Sequence, residues 1–272
     1  MNFTYNKLTI SGNIIEFDNM EKPIFFGTNY HIKPGRKGEK IITAEESQLK
    51  SVYRSKKNVR HLVNANSFQW FKPNGNPYLP IFITFTFKLD IRSVDEANKL
   101  YTDFMQRLNY FMTKNKKHTL HYLAVVEFQD ENREGVIHYH TLFFNMRYIN
   151  QVYDEIKKVW KHGNTNVKSI KRVKNIALYM VKYMTKNMKE GRLTGKKKYF
   201  ISKNLLKPKE IKDEKTVLSL VEQLPKKSII SSGSWINKHC GKITRVTYDL
   251  QDNPKILSLI NNIASNARLI SK

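Results

Sequence analysis

Cysteine is almost absent from this chain, with Cys240 the only one in 272 residues. A disulfide framework and a cysteine-built zinc cluster are therefore excluded. Long apolar runs are missing as well. No stretch of about 18 residues is continuously apolar, and there is neither a lipidation signal nor an isolated basic amphipathic anchor, so no membrane partner is expected. The opening MNFTYNKLTI holds no apolar signal-peptide core, which predicts a cytoplasmic location. Acidic residues are scarce too. Forty-eight Lys and Arg against twenty-three Asp and Glu give a formal net charge of +25, far beyond what solubility requires. That excess calls for a polyanion, and with membranes disfavoured the expected polyanion is nucleic acid. The 40% hydrophobic composition is enough for one sizeable core with a smaller appendage.

What is present centres on residues 121–144, HYLAVVEFQDENREGVIHYHTLFF. Within it stands the triplet His138, Tyr139, His140. Successive side chains on a β-strand alternate faces, so the two histidines point the same way, a few ångströms apart. Apolar residues fill both faces of the surrounding GVIHYHTLFFN, the mark of a central strand covered on both sides. The run from Leu120 to Phe128 reads as a second strand, and QDENREG as the hairpin loop between them. Folding about Asn132 brings Glu127 opposite the start of the second strand, within reach of His138. Two neutral imidazoles and a carboxylate form a mixed nitrogen and oxygen set, open to Mg²⁺ or Mn²⁺ with positions left for substrate oxygens. The competing account makes the histidines hydrogen-bonded core residues and Glu127 a solubilising residue at a strand edge.

The rest of the chain supplies a framework in sequence order. Residues 1–43 read as a β-hairpin followed by a basic loop, GRKGEK. After the capping candidate Thr43, residues 44–64 fit a helix with Leu49, Val52, Tyr53, Val59 and Leu62 on or near one face. Its Arg54, Lys56, Lys57 and Arg60 are candidate phosphate contacts, with a solvated basic face as the alternative. LPIFITFTFK at 79–88 is a strand of β-branched and aromatic residues. Ala97, Leu100, Tyr101, Phe104, Met105, Leu108, Phe111 and Met112 then recur at helical spacing. After the hairpin come a helix near 151–160, a short strand at 166–173 and a helix near 175–189. This β-α-β-β-α-β-α order predicts an α+β fold, an antiparallel sheet of ferredoxin-like order with helices packed against it. Downstream, residues 213–223 suit a helix, 242–250 a strand, and the last twenty residues another helix. The expected organisation is an N-terminal extension (1–78), a core (79–205) and a C-terminal α/β extension (206–272).

Gly191 and Gly195, in the basic run GRLTGKKK, invite comparison with a phosphate loop. The spacing fails. A Walker loop needs four residues between its glycines and Ser or Thr after Gly-Lys, whereas here three residues intervene and Lys197 follows. The helix before that run, IALYMVKYMTKNMKE, is more informative. At 3.6 residues per turn Tyr179 and Tyr183 share a face, with Lys182 and Lys186 beside them. A phenol can serve as a covalent nucleophile when a cation or a polarised phosphate offsets its pKa of about 10. Periodicity alone is equally met by an amphipathic helix that packs its tyrosines into a core.

Three motifs together resemble the HUH endonucleases, specifically the rolling-circle replication initiators of small plasmids and phages. They are FITFTF at 82–87, HYH at 138–140 and YMVKYMTK at 179–186, in the family's order and spread over roughly residues 81–200. The resemblance implies that His138 and His140 are metal ligands, with Glu127 at the position of a variable third ligand. It also implies that Tyr179 is the first nucleophile, Lys182 the lysine of the tyrosine motif and Tyr183 the second tyrosine. The implied activity is site-specific nicking and strand transfer of single-stranded DNA, hairpin forms included, at a replication origin. It proceeds through a 5′-phosphotyrosine in a bacterial host, with host helicase and polymerase as partners. Lys186, with the α-helical basic residues Arg54, Lys56, Lys57 and Arg60, would hold the DNA. Motif order argues against the conjugative relaxases. A single-strand DNA transposase of the same superfamily, a non-catalytic basic replicon-control protein, and metal-dependent hydrolysis by water remain the alternatives.

Overall fold

A computed structural model describes residues 2–26, 43–114, 120–146, 153–168, 170, 173, 175–187 and 192–270. The basic loop GRKGEK, Gln151, Gly191 and the side chain of Lys186 lie outside the described residues. The elements are β1 (Asn2–Ser11), β2 (Ile14–Phe26), α1 (Ala44–Asn66), β3 (Ile81–Phe87), α2 (Val94–Thr113), β4 (Tyr122–Gln129) and α3 (Asp130–Arg133). They continue with β5 (Val136–Phe143), α4 (Tyr153–Trp160), β6 (Gly163–Lys168), α5 (Ile176–Asn187), β7 (Tyr199–Ile201) and β8 (Lys209–Ile211). The last are α6 (Glu214–Glu222), β9 (Ile229–Asn237), β10 (Gly241–Asp249) and α7 (Pro254–Ile270). The fold is mixed α+β, with two antiparallel five-stranded sheets. Among the described residues no helix is long and apolar enough to cross a membrane.

Contacts divide the chain into two compact units, Ile42–Leu206 and a second made of Met1–Ile41 with Lys207–Lys272. In the first, the strand order is β6-β3-β5-β4-β7. Strand β5 is buried along its whole length, because each face of its sheet carries its own apolar layer. Ile83, Phe85, Phe87, Ile137, Tyr139 and Phe143 turn toward α2 and α4, meeting Ala97, Tyr101, Phe104, Leu108 and Trp160. Phe82, Leu123, Val125 and Leu142 turn the other way, toward Val59, Leu62 and Val63 of α1 and Ala177, Met180 and Met184 of α5. This two-sided burial is what the apolar filling of GVIHYHTLFFN required.

Local signals explain the helix starts. Thr43 accepts a hydrogen bond from the Glu46 amide, and Ser93 caps α2 in the same way. The face expected for α1 is partly revised, since Leu49 and Tyr53 are exposed and Val63 joins the core in their place. The expected hairpin loop is a single helical turn, α3, followed by Glu134 and Gly135 with φ of +43° and +84°. The short strand begins at Gly163 rather than at residue 166.

The second unit has the strand order β8-β1-β2-β10-β9. Leu8, Ile10, Ile15, Ile211 and Tyr248 form its apolar face, with Val217 and Leu220 of α6 and Ile260 and Ala264 of α7. Arg245 on β10 forks onto Asp18 at 2.5 and 2.7 Å and reaches Glu16 at 2.7 Å, both on β2. These units differ from the consecutive segments 1–78, 79–205 and 206–272 read from sequence. Residues 2–26 pair with C-terminal strands, whereas α1 packs within the first unit. Such long-range pairing leaves no local trace in hydrophobic periodicity.

Gly163 sets how closely β6 approaches β3. Its φ is +153°, and a Cβ there would overlap the Thr86 carbonyl oxygen and the Lys88 amide nitrogen. Neither backbone atom can yield cheaply. Gly163→Ala is therefore expected to lower unfolding stability by at least about 3 kcal/mol, measured by urea denaturation.

Candidate functional site

The site lies on the α5 side of the first unit's sheet. Residues directly opposite one another on antiparallel strands share a face. The register sets Thr84 against His140, Thr86 against His138 and Glu127 against His138, which groups these five side chains on one face. Alternation along β5 places His138 and His140 there and sends Tyr139 into the opposite core, where its ring stacks on Tyr101 at 4.0 Å. Both histidines are buried, at 8% and 4% exposure.

Glu127 is paired in register with His138 as its sequence position predicted, yet its carboxylate bonds elsewhere. His140 Nε2 lies 2.5 Å from Glu127 Oε2, and His140 Nδ1 lies 3.0 Å from the Thr84 hydroxyl. A neutral imidazole protonated at Nε2 satisfies both, donating to the carboxylate and accepting from Thr84. The reason is reach, since a long side chain can extend to the diagonal neighbour across an antiparallel pair. His138 is left differently placed. Its Nε2 is buried with no hydrogen-bond partner among the described residues. Burial and the neighbouring His140 push its pKa down to about 4, with Glu127 opposing and Arg133 adding to the depression. It is a neutral imidazole with nothing to bind.

Helix α5 closes the site from above. The Tyr183 ring stacks on His140 with centroids 3.8 Å apart. Phe82 lies beneath both phenols, 5.2 Å from Tyr179 and 5.5 Å from Tyr183. The Tyr183 hydroxyl donates to the Tyr179 hydroxyl at 2.7 Å. Burial first, then this donated bond and the nearby Glu127 charge, raise the Tyr183 pKa well above the ordinary phenol value. Lys182 does not join them. It is exposed, and among the described residues it makes no hydrogen bond or ion pair. The cation nearest Tyr179 is instead Lys168, whose Nζ stands 5.9 Å from the ring centroid. Sequence reasoning missed Lys168 because its place depends on pairing of β6 with β3, which sets it opposite Phe82. Thr84 was missed as a partner of His140, although it sits in the FITFTF motif. Of the candidate DNA contacts on α1, Arg54 and Lys57 are exposed, while Lys56 and Arg60 are half-buried.

The ligand set can be tested against a divalent cation. Among the described residues no three His, Cys, Asp or Glu side chains are grouped to hold a metal ion as they stand. The Glu127 to His140 contact explains part of this. Two adjacent ligands of an octahedral Mg²⁺, each about 2.1 Å from it, sit about 3.0 Å apart, so a 2.5 Å contact is bridged by a proton and must widen to admit a cation. In chemical type the donors fit. A buried unpartnered imidazole nitrogen, a second imidazole and a carboxylate share one face, and loss of the bridging proton would free two of them together.

Residues 80–188 match a family model for the replication-associated protein ORF2. The match supports a role in replication initiation. It runs from the start of β3 to the end of α5 and so takes in every residue of this site. No curated protein and no solved structure matches the chain.

His138 provides a check on this geometry. In metal-free protein its ring nitrogens should keep the ¹⁵N shifts of a neutral imidazole from pH 7 to below 5. Because its folded-state value of about 4 lies below the unfolded value of 6.5, the unfolded chain takes up this proton first. Its contribution to stability is complete above pH 6.5 and is lost as the pH falls toward 4. His138→Gln should flatten that part of the profile in pH-dependent denaturation.

Proposed function

We propose that this protein nicks single-stranded DNA at a replication origin and transfers the cut strand through a covalent 5′-phosphotyrosine, so starting rolling-circle replication. The observation that carries the reading is two linked phenols of α5 lying against a buried histidine and carboxylate pair on the central strands. A structural tyrosine needs none of these neighbours. The strand order β6-β3-β5-β4, with α2 and α4 as its crossovers, adds support, being the ferredoxin-like arrangement expected of an HUH nuclease. The charge of +25 supplies attraction for the DNA backbone.

In this reading His138, His140 and Glu127 would hold Mg²⁺ or Mn²⁺. When bound, the ion would supply Lewis-acid stabilisation of charge on the scissile phosphate oxygens. The protein's own groups account for the rest. Tyr179 is the nucleophile, because the hydrogen bond donated by Tyr183 stabilises negative charge developing on the Tyr179 oxygen. The same bond holds the proton on Tyr183. As the oxygen-phosphorus bond forms, the bond to the 3′ oxygen breaks, and that oxygen leaves as the hydroxyl that primes a host polymerase. The phosphodiester is exchanged rather than hydrolysed, so rejoining needs no ATP. Thr84 orients His140, and Lys168 adds positive charge beside Tyr179 where phosphate must approach. Arg54, Lys56, Lys57 and Arg60, with Lys182 and Lys186, are assigned to the DNA backbone, and a host helicase would open the duplex ahead.

Two expectations test this reading. Tyr179→Phe should lower the first nick by roughly 10³-fold or more, whereas Tyr183→Phe should retain it and be impaired in a later strand transfer. Mapping the phosphotyrosine peptide of wild-type protein on labelled origin DNA decides between them, and label on Tyr183 alone would reverse the roles. Alanine at His138 or His140, or a chelator, should abolish nicking while DNA affinity stays within about threefold, because phosphate contacts lie elsewhere. Nicking without an adduct would favour metal-activated water, and binding without nicking would favour a non-catalytic protein. Excision of a strand with two defined ends would mark a transposase.

A further inference from the structure

We propose that the hairpin at residues 67–80, between α1 and β3, is a base-stacking platform for single-stranded DNA. The proposal rests on the nuclease reading and adds where unpaired bases would be held. The hairpin is firmly built. The Tyr78 amide donates to the Trp70 carbonyl at 2.7 Å, Lys72 to Asn76 at 2.8 Å and Gly75 to Lys72 at 2.9 Å. Phe71 pairs with Pro77 in an isolated bridge. At its base the Trp70 ring lies 3.5 Å from that of His121, and its Nε1 donates to Asn66 Oδ1 at 3.3 Å. Asn66 is fully buried, and its amide also bonds the carbonyls of Leu62 and Leu206.

From this fixed base two aromatic rings are held in water. Phe71 is 63% exposed and Phe68 40%. Phe68 has φ of +62°, a left-handed backbone that is costly for a bulky side chain and is kept only where the surroundings impose it. Both rings forgo the gain of burial in the adjacent core. Lys72 follows Phe71 directly, and its Nζ stands 5.8 Å from the Tyr78 ring. Exposed rings beside a lysine, in a chain of net charge +25, match an unpaired base with its phosphate. An apolar protein surface would leave that charge unanswered. Stacking requires an open base face, which selects a single strand over duplex.

The hairpin also lies on the relevant side of the sheet. Trp70 packs on the same apolar cluster as Tyr179 and Tyr183. Ile81, where the hairpin hands over to β3, is three residues from Thr84, about 10 Å at 3.3 Å per residue. A strand whose phosphate reaches the phenols could stack its neighbouring bases here within a few nucleotides.

The test uses the full chain with fluorescein-labelled oligo(dT) and a blunt duplex of equal length, read by anisotropy across a salt series. Phe71→Ala should weaken oligo(dT) binding about tenfold, the loss of one base stack. Its log-log salt slope and duplex affinity should match wild type, and Phe71→Trp should bind as wild type does. Unchanged oligo(dT) affinity in Phe71→Ala, an equal loss for duplex, a shallower salt slope or failure of Phe71→Trp would each overturn the proposal. Covalent adduct formation by wild-type protein is measured separately. Its absence would count against the tyrosine chemistry and leave the stacking result standing.

Discussion

Burying polar side chains in the middle of a sheet is the constraint from which the candidate site follows. Strand β5 has neighbours on both sides and an apolar layer on each face, so any polar group on it must find a partner or remain costly. Thr141 and Tyr139 meet this demand with ordinary neutral hydrogen bonds, Thr141 with the Tyr101 hydroxyl at 2.8 Å and Tyr139 with Asn98 at 2.7 Å. His140 meets it with Thr84 and Glu127. His138 does not meet it, and its displaced pKa measures the same deficit. An apolar residue at 138 would pack without that penalty, so the imidazole is explained better by something it binds than by stability.

The second layer of the site depends on Phe82. One ring on β3 touches His140, Tyr179 and Tyr183 and so fixes the rotation of α5 relative to the sheet. Met180 and Met184 complete the seat, and their flexible thioethers fill the space around aromatic side chains that point the same way. Precision in the polar pair is thus a product of apolar packing. This is why the FITFTF strand matters to the chemistry although it contributes no ligand, only Thr84 as an orienting hydroxyl.

Much of this could be read in the sequence because the decisive features are local. Period two in HYH, period 3.6 in the tyrosine helix, and Thr43 and Ser93 before their helices need only neighbouring residues. What escaped depends on distant pairing. The three residues of β7 and of β8 are too short to show any alternation. Strand β9, IISSGSWIN, is exposed along nearly all its length and shows none. The joining of residues 2–26 to the C-terminal strands has no sequence signal at all. Within the site, Glu127 was legible as a face-sharing carboxylate but not as a partner of His140, since the choice between the opposite and the diagonal neighbour is made by side-chain geometry. Lys168 was invisible for the same reason as β7, its meaning resting on register.

The two tyrosines show how a symmetric sequence becomes an asymmetric site. Each begins a Tyr-x-x-Lys pattern, and one-dimensional spacing assigns them the same surroundings. Laid on the sheet, the helix places Tyr183 over His140 and Tyr179 beside Lys168, and a single hydrogen bond then gives the pair a direction. The donor is the more deeply engaged phenol, held by burial and by repulsion from Glu127 in its protonated form. The acceptor is the one toward which negative charge can move with support. Reversing these roles would require the hydrogen bond to flip and Tyr183 to carry charge against a carboxylate, at least until that carboxylate is engaged by a cation. In the nuclease reading this makes the order of the two phenols a property of the charge state of Glu127, and ties the choice of nucleophile to the same side chain that completes the ligand set.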